Sequence, residues 1–163
     1  MIIILETLII ILIVILDQIS KYFADSLLKS ADAVEFIPGF LSFRYLENKG
    51  AAWGMLADQR WIFMVISTIA ILAIIAYLIW SRKKKESILF RISLCFFAGG
   101  GIGNMIDRIF LGYVIDFLRF DFIDFPIFNV ADSFITIGAA LMIITLVLDL
   151  ITDLRKKLKK QNG

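Results

Sequence analysis

The sequence predicts an all-α membrane protein with four transmembrane helices and a small extracytoplasmic antiparallel sheet. Of its 163 residues, 60% are hydrophobic and 20% are charged, whereas soluble domains are about 45–50% apolar and about 25% charged. The excess lies in four apolar blocks, each close to the ~20 residues that a helix needs to cross a bilayer. These blocks are Met1–Leu16, Trp61–Trp80, Ile88–Gly103 and Val130–Leu148. Because spans and connectors occupy nearly the whole chain, we expect a single membrane domain over residues 1–163.

The spans are expected at about residues 3–22, 61–80, 88–108 and 130–150. The first block has no basic segment before it and no small-residue cleavage pattern, so we expect a retained helix and not a cleaved signal peptide. Basic residues cluster at 82–85 and at 155–160. Since basic residues concentrate on the cytoplasmic side, both termini are expected in the cytoplasm. The connectors at about 22–60 and 109–129 are then expected on the outer face.

The first outer connector predicts a short sheet at about residues 34–58. Pro38 and Gly39 stand in the order that a type II turn requires, because proline fixes φ at the second position and glycine accepts a positive φ at the third. Apolar and polar residues then alternate over residues 41–45, as in a half-buried strand. The second connector alternates at residues 120–122, which leaves open an added strand or aromatic side chains that dip into the interface.

The amino-acid composition excludes several kinds of chemistry. The chain has no histidine, so it cannot assemble Ser-His-Asp or Cys-His catalytic groups or a histidine-ligated zinc site. We expect no metal, no cofactor and no nucleic acid as a partner. The single cysteine, Cys95, cannot form an intrachain disulfide and is expected to pack in a span. Carboxylates, amides, hydroxyls, lysine and arginine remain as chemical groups.

An acidic and a basic residue end the first apolar block. A charged group at the centre of a spanning helix costs about 2.5–3.5 kcal/mol on insertion scales, so each such group needs a partner or a function. Asp17 and Lys21 have i, i+4 spacing with the acid first, which is the favourable order for a helical ion pair. Two interpretations remain open: the pair locks the end of this helix, or it positions a polar loop above the helix.

The end of the third block combines glycines with polar residues. Gly99 and Gly103 form a GxxxG face, which allows another helix to approach closely. Asn104, Asp107 and Arg108 lie on one helical face at i, i+3 and i+4 spacing. We expect an ion pair between Asp107 and Arg108, because pairing is the simplest explanation of two charges near the membrane.

Two further acids lack such a simple explanation. Asp116 is flanked by apolar residues and has no adjacent basic residue in the sequence. Asp132 opens the fourth span, and with Asn129 as the N-cap it would stand at N3, where the helix dipole favours negative charge. Capping alone could therefore account for Asp132. Both acids are nevertheless expected at the same outer boundary, and Asp107 is a further candidate acid at this point.

Two close carboxylates in a partly dry site share one proton, because both cannot ionise cheaply. The ionised group can then take a proton from water while the protonated group donates to a carbonyl oxygen, as in aspartic proteases. With histidine absent, this is the hydrolytic machinery that the chain is best equipped to assemble.

Five short motifs, in this order, resemble the lipoprotein signal peptidases, also called signal peptidase II. They are Asp17-Gln18-x-x-Lys21, Asn48-x-Gly50-Ala51-Ala52-x-Gly54, Gly99-Gly100-x-x-Gly103-Asn104-x-x-Asp107-Arg108, Val114-x-Asp116-Phe117 and Phe128-Asn129-x-Ala131-Asp132. The resemblance implies a four-helix bundle with an extracytoplasmic β-cradle. It also implies an aspartic endopeptidase that removes the signal peptide from diacylglyceryl-modified bacterial prolipoproteins, cutting before the lipidated cysteine.

The resemblance carries further expectations about location and partners. The protein is expected in the bacterial cytoplasmic membrane with its active site at the outer face, where the lipid bilayer and the prolipoprotein are its partners. Globomycin is the expected type of inhibitor. A monomer is expected.

The resemblance also assigns roles to single residues. Asp116 and Asp132 match the two catalytic acids, and Arg108 argues in the same direction, because an Asp107 paired with its neighbour would share a proton poorly. The matched substrate-binding positions are Asn48, Gly50, Asn104, Arg108, Val114, Asn129 and Ala131. The matched supporting positions are Asp17, Lys21 and Asp107. A peptide clamp is expected from the aromatic residues Phe36, Phe40, Phe43, Tyr45 and Trp53, the last standing where an aromatic residue such as phenylalanine is usual in the family.

Two other functions compete with this interpretation. In a four-span proton-coupled transporter, buried acids would carry protons, but such a protein calls for a carboxylate midway across a span. Asp116 and Asp132 are expected at span ends instead. A non-catalytic anchoring protein could assemble through the GxxxG face, but the two acids would then have no function.

Overall fold

The computed structural model describes residues 2–50 and 60–161, with side chains described over 3–50 and 61–158. The elements in chain order are α1 (Ile2–Leu28), β1 (Val34–Ile37), β2 (Leu41–Asn48), α2 (Arg60–Trp80), a 3₁₀ turn (Ser81–Lys83), α3 (Ile88–Phe110), β3 (Val114–Phe120) and α4 (Val130–Gln161). Within these ranges, four helices are long and apolar enough to cross a membrane. The predicted fold class is therefore confirmed: four such helices and a small antiparallel sheet.

The third helix is the central element of the bundle. In its most apolar stretch 56% of the residues are buried inside the protein, compared with 6% for α2. A Cβ atom added to Gly99 would lie 2.9 Å from Ile13 of α1, and one added to Gly100 would lie 2.6 Å from the carbonyl oxygen of Ala131 in α4. Small residues thus allow α1 and α4 to approach α3 closely, as the glycine pattern predicts.

The outward surfaces of the helices are apolar. Leu12 on α1, Ile69 on α2 and Ile143 on α4 are all exposed on the isolated chain. Such a surface is unfavourable in water and suits the hydrocarbon core of a bilayer.

The sheet has the strand order β1-β2-β3, and both strand pairs are antiparallel. Gly39 has a φ of +66°, and the N–H of Phe40 donates to the carbonyl oxygen of Ile37 at 3.0 Å. These features confirm the predicted turn between β1 and β2. Leu46 of β2 lies opposite Asp116 of β3, so the connector between α3 and α4 does contribute a strand to the sheet.

The opposite end of the bundle is held by a buried ion pair. The Arg91 side chain of α3 pairs with Glu6 of α1, and both are nearly excluded from solvent. Arg91 also donates to the hydroxyl of Ser81 at 2.8 Å and to the carbonyl oxygen of Leu78 at 3.0 Å. This one side chain therefore joins α1, the end of α2 and α3, since arginine offers five donors in a fixed planar arrangement.

Candidate active site

Asp132 is fixed in the first turn of α4 by reciprocal hydrogen bonds with Asn129. Oδ1 of Asn129 accepts from the backbone N–H of Asp132 at 2.9 Å, and Oδ2 of Asp132 accepts from the backbone N–H of Asn129 at 3.2 Å. This arrangement is a capping box, and it confirms the prediction that Asn129 is the N-cap and Asp132 the N3 residue. Oδ1 of Asp132 accepts from the side-chain amide of Asn104 at 2.8 Å.

Asp116 lies in β3 with only 1% of its surface exposed. Its Oδ1 accepts from the side-chain amide of Asn129 at 2.7 Å, and its Oδ2 accepts from the side-chain amide of Asn48 at 2.8 Å. The orientation of the Asn48 amide is set by its own oxygen, which accepts from the backbone N–H of Gly50 at 3.0 Å. Asn129 therefore contacts both acids.

The electrostatics of the site favour one shared proton. Burial, and next the negative charge of Asp132, raise the pKa of Asp116 to about 7, although hydrogen bonds from Asn48 and Asn129 oppose the rise. A carboxyl group with this pKa is protonated in a large fraction of molecules near neutral pH. The pair can therefore present one acid and one base at the same time.

Both acids line one cleft with a volume of about 490 Å³. Its walls also carry the polar side chains of Asn48 and Arg108 and the backbone of Gly50. The remaining walls are largely apolar and include Phe120, Phe125, Pro126, Ile127, Phe128, Thr136 and Ile137. Such a cleft can hold a polar peptide bond next to the acids and apolar groups along the walls.

The expected ion pair between Asp107 and Arg108 is wrong. Asp107 instead lies 2.9 Å from the ammonium of Lys21 in α1. Arg108 donates to the carbonyl oxygen of Asn104 at 3.3 Å, and its guanidinium lies 5.7 Å from the centre of the Phe63 ring. Sequence adjacency suggested the wrong partner, because α1 packs against this face of α3 and supplies a closer cation.

The three residues matched as supporting positions form one buried cluster. Nζ of Lys21 lies 2.9 Å from Oδ2 of Asp17 and 2.9 Å from Oδ2 of Asp107. It also donates to Oδ1 of Asn104 at 2.9 Å. The ammonium therefore lies against two carboxylates and one amide oxygen, although only 2% of the Lys21 side chain is exposed.

The seven residues predicted to contact substrate fall into three groups. Three of them line the cleft: Asn48, Gly50 and Arg108. Two amides, Asn104 and Asn129, are buried and bond to the acids. The other two, Val114 and Ala131, are 2% and 0% exposed, so their side chains pack inside the protein. Trp53 belongs to residues 51–59, which lie outside the described part of the chain, and its role in a clamp stays a prediction.

Two features of the site were not found by reasoning from the sequence. The amide of Gln18 donates to Oδ1 of Asp107 at 3.0 Å. Ser133, Thr136 and Ile137 line the cleft along one face of α4. Their i, i+3, i+4 spacing is the signal that could have identified them, because residues so spaced share a helical face.

Comparisons with known proteins agree with this architecture. The Peptidase_A8 family, described as signal peptidase (SPase) II, matches residues 9–148. A lipoprotein signal peptidase of Streptococcus pyogenes serotype M5 (strain Manfredo) is 46% identical over 136 residues, covering 83% of this chain and 88% of that protein. One of Enterococcus faecalis (strain ATCC 700802 / V583) is 46% identical over 138 residues, covering 85% of this chain and 84% of that protein.

Solved structures are similar as well. A structure described as a bacterial membrane enzyme matches with a TM-score of 0.81 and 37% sequence identity, covering 89% of this chain and 88% of the other. A second structure with a similar description matches with a TM-score of 0.77 and 37% identity, covering 86% and 91%. The resemblance carried by the five motifs is thereby confirmed.

Proposed function

Because the chain belongs to the signal peptidase II family, we propose that it is an aspartic endopeptidase that processes bacterial prolipoproteins in the membrane. Its substrate is a prolipoprotein that carries diacylglyceryl on a cysteine, and it cuts immediately before that cysteine. The proton-coupled transporter considered above is not favoured, because the relatives are named as peptidases. The observation that carries the proposal is the shared contact of Asn129 with Asp116 and Asp132 at one cleft.

In the proposed reaction, the two acids divide the tasks of base and acid. Asp132, ionised, takes a proton from a water molecule whose oxygen attacks the carbonyl carbon of the scissile bond. Asp116 gives its proton to the carbonyl oxygen, which yields a tetrahedral diol. When the C–N bond breaks, Asp132 returns its proton to the leaving nitrogen, and a diol hydroxyl returns one to Asp116. The raised pKa of Asp116, caused first by burial and next by Asp132, supports this division.

The residues around the acids are proposed to hold the substrate. Asn48, Gly50 and Arg108 lie on the cleft walls, where polar groups can bind the peptide backbone. Val114 and Ala131 support the wall from behind. The apolar walls suit acyl chains, because each CH₂ group moved out of an apolar environment costs about 0.8 kcal/mol. A lipid-bearing substrate therefore need not leave the bilayer to reach the acids.

The setting of the reaction follows from the distribution of basic residues. We place both termini in the cytoplasm and the cleft at the outer face of the bacterial cytoplasmic membrane, because the basic clusters at 82–85 and 155–160 favour the inner side. The chain is proposed to act as one membrane domain and as a monomer, since a single copy supplies both acids. A globomycin-type peptide is the proposed inhibitor, occupying the cleft.

A cleavage assay tests this function. The purified protein in lipid is incubated with a diacylglyceryl-modified prolipoprotein, and the loss of the signal peptide is followed by gel shift and mass spectrometry. The matched control is the same prolipoprotein without lipid on its cysteine. Cleavage only of the lipidated form, unaffected by a metal chelator and blocked by globomycin, is expected. Equal cleavage of the unlipidated form, or dependence on a metal ion, would overturn the proposal.

A further inference from the structure

A carboxylate of α1 caps the first turn of α4. The first backbone N–H groups of a helix have no partner within the helix. One of them, the N–H of Ala131, donates to Oδ1 of Asp17 at 2.9 Å across 114 positions of sequence. Ala131 immediately precedes Asp132. Asp17 therefore fixes the backbone next to one proposed catalytic acid, although its own side chain is completely buried.

A carboxylate of α3 holds β3 in an equivalent way. Oδ2 of Asp107 accepts from the backbone N–H of Ile115 at 3.1 Å. Ile115 immediately precedes Asp116, so this bond fixes the backbone next to the other proposed catalytic acid. The two acids thus have the same kind of support: in each case, a buried carboxylate of another element binds the N–H of the preceding residue.

Lys21 joins the two supports. It binds Asp17 and Asp107 at the same time, so their positions are set relative to each other. It also donates to Oδ1 of Asn104. This bond and a second one from the Asn129 amide at 3.0 Å orient the Asn104 amide so that its Nδ2 group donates to Oδ1 of Asp132. The Lys21 cluster, defined as Asp17, Lys21 and Asp107, therefore contacts the surroundings of both acids.

We propose that the Lys21 cluster is a positioning device that sets the geometry of Asp116 and Asp132 through the backbone N–H groups of Ile115 and Ala131. This inference rests on the proposed peptidase function. The cluster lies behind the acids and its side chains are buried, so it acts on the acids and not on the substrate. Preorganised geometry matters for this chemistry, because a displacement of about 1 Å can cost about 100-fold in rate.

The two carboxylates of the cluster differ in one testable respect. Asp17 uses separate oxygens for its two tasks, Oδ2 for Lys21 and Oδ1 for the N–H of Ala131. Asp107 uses one oxygen, Oδ2, for both Lys21 and the N–H of Ile115. An asparagine has a single acceptor oxygen. At position 107 it can keep both contacts through this oxygen and loses only the bond that Oδ1 of Asp107 accepts from the Gln18 amide, whereas at position 17 it must give up one of the two.

Asp17→Asn and Asp107→Asn are therefore a matched pair, since each removes one negative charge from the same cluster. We expect kcat of Asp17→Asn to fall about 100-fold with KM near the wild-type value. Asp107→Asn is expected to stay within about tenfold of the wild-type kcat. The thermal midpoint of each purified variant shows that it is folded. Equal losses of kcat in the two variants, or a loss confined to KM, would overturn the inference.

A second pair moves Asp17 without changing any charge. A Cβ atom added to Gly103 would lie 2.5 Å from Oδ2 of Asp17, whereas, among the residues that the structure describes, one added to Gly101 meets only the flexible side chain of Ile71 at 3.2 Å. Gly103→Ala is expected to lower kcat at least tenfold more than Gly101→Ala. If Asp17→Asn does not fold, the comparison of Gly103→Ala with Gly101→Ala tests the inference in its place. A folded Gly103→Ala with the wild-type kcat would overturn the inference.

The same experiments separate this inference from the proposed function. Wild-type protein that leaves the lipidated prolipoprotein uncut would remove the proposed function itself. Cleavage by the wild type, together with wild-type kcat in both Asp17→Asn and Gly103→Ala, would remove only the positioning role of the cluster.

Discussion

The side-chain amide of Asn129 donates a hydrogen bond of 2.7 Å to Oδ1 of Asp116. The same residue caps α4 and exchanges two hydrogen bonds with Asp132. One asparagine thus relates an acid on a strand to an acid on a helix, and the geometry of the proposed catalytic pair depends on it.

Replacing Asn129 with alanine should therefore damage activity more than stability. Loss of an N-cap costs about 0.5–2 kcal/mol of stability, but Asn129→Ala also removes a donor to Asp116. We expect a modest fall in the thermal midpoint and a fall of about 100-fold in kcat, measured in the cleavage assay. Thr145→Ala is the control, because the Thr145 hydroxyl donates within α4 to the carbonyl oxygen of Leu141, away from both acids. A wild-type kcat in Asn129→Ala would contradict the account.

The pH dependence of cleavage should report the proton on Asp116. Since burial raises the pKa of Asp116 to about 7, and its protonated form is the proposed acid, kcat/KM is expected to fall as the pH rises above about 7. Asn48 donates to Asp116 and thereby lowers this pKa.

Replacing Asn48 removes this donor, and the direction in which the pH profile then moves is the test. In Asn48→Ala the carboxylate loses stabilisation, so the pKa of Asp116 rises further and the alkaline limb of the kcat/KM profile moves to higher pH. The absolute rate falls as well, because Asn48 lines the cleft. The measurement is the pH profile of both proteins at low substrate concentration. An alkaline limb that moves to lower pH would exclude Asp116 as the group that donates the proton.

Features that depend on residues close together in the sequence can be predicted from the sequence alone. The turn at Gly39 and the cap formed by Asn129 with Asp132 were both predicted, because each depends on residues within three positions. The four long apolar helices can be predicted just as directly, since the length of an apolar segment alone sets the requirement for crossing a bilayer.

Partners that come from distant elements could not be predicted in this way. The local sequence predicts Arg108 as the partner of Asp107, but Asp107 binds Lys21 of α1. The choice between these cations depends on how closely α1 and α3 pack, which the glycines of α3 permit but do not specify. The pairing of Glu6 with Arg91 was missed for the same reason.

The Glu6–Arg91 pair should matter for stability but not for catalysis. Removing one member of a buried ion pair costs about 3–5 kcal/mol, because an unpaired charge stays behind. Arg91→Met is therefore expected to lower the thermal midpoint strongly, and the double variant Glu6→Leu/Arg91→Met should recover part of the loss. The folded single and double variants should both keep the wild-type kcat, since the Glu6–Arg91 pair lies at the end of the bundle opposite the cleft. A fall in kcat of the folded variants would show that this end is coupled to the cleft.

The proposed chemistry requires Asp116 and Asp132 together. The most direct measurement is cleavage of a diacylglyceryl-modified prolipoprotein by purified Asp116→Asn and Asp132→Asn, beside the wild type, with thermal midpoints to confirm folding. An amide at position 132 cannot take the proton from water, and an amide at position 116 cannot give a proton to the carbonyl oxygen, so each folded variant is predicted to give no detectable cleavage. Cleavage at the wild-type rate by either variant would place the chemistry on another residue.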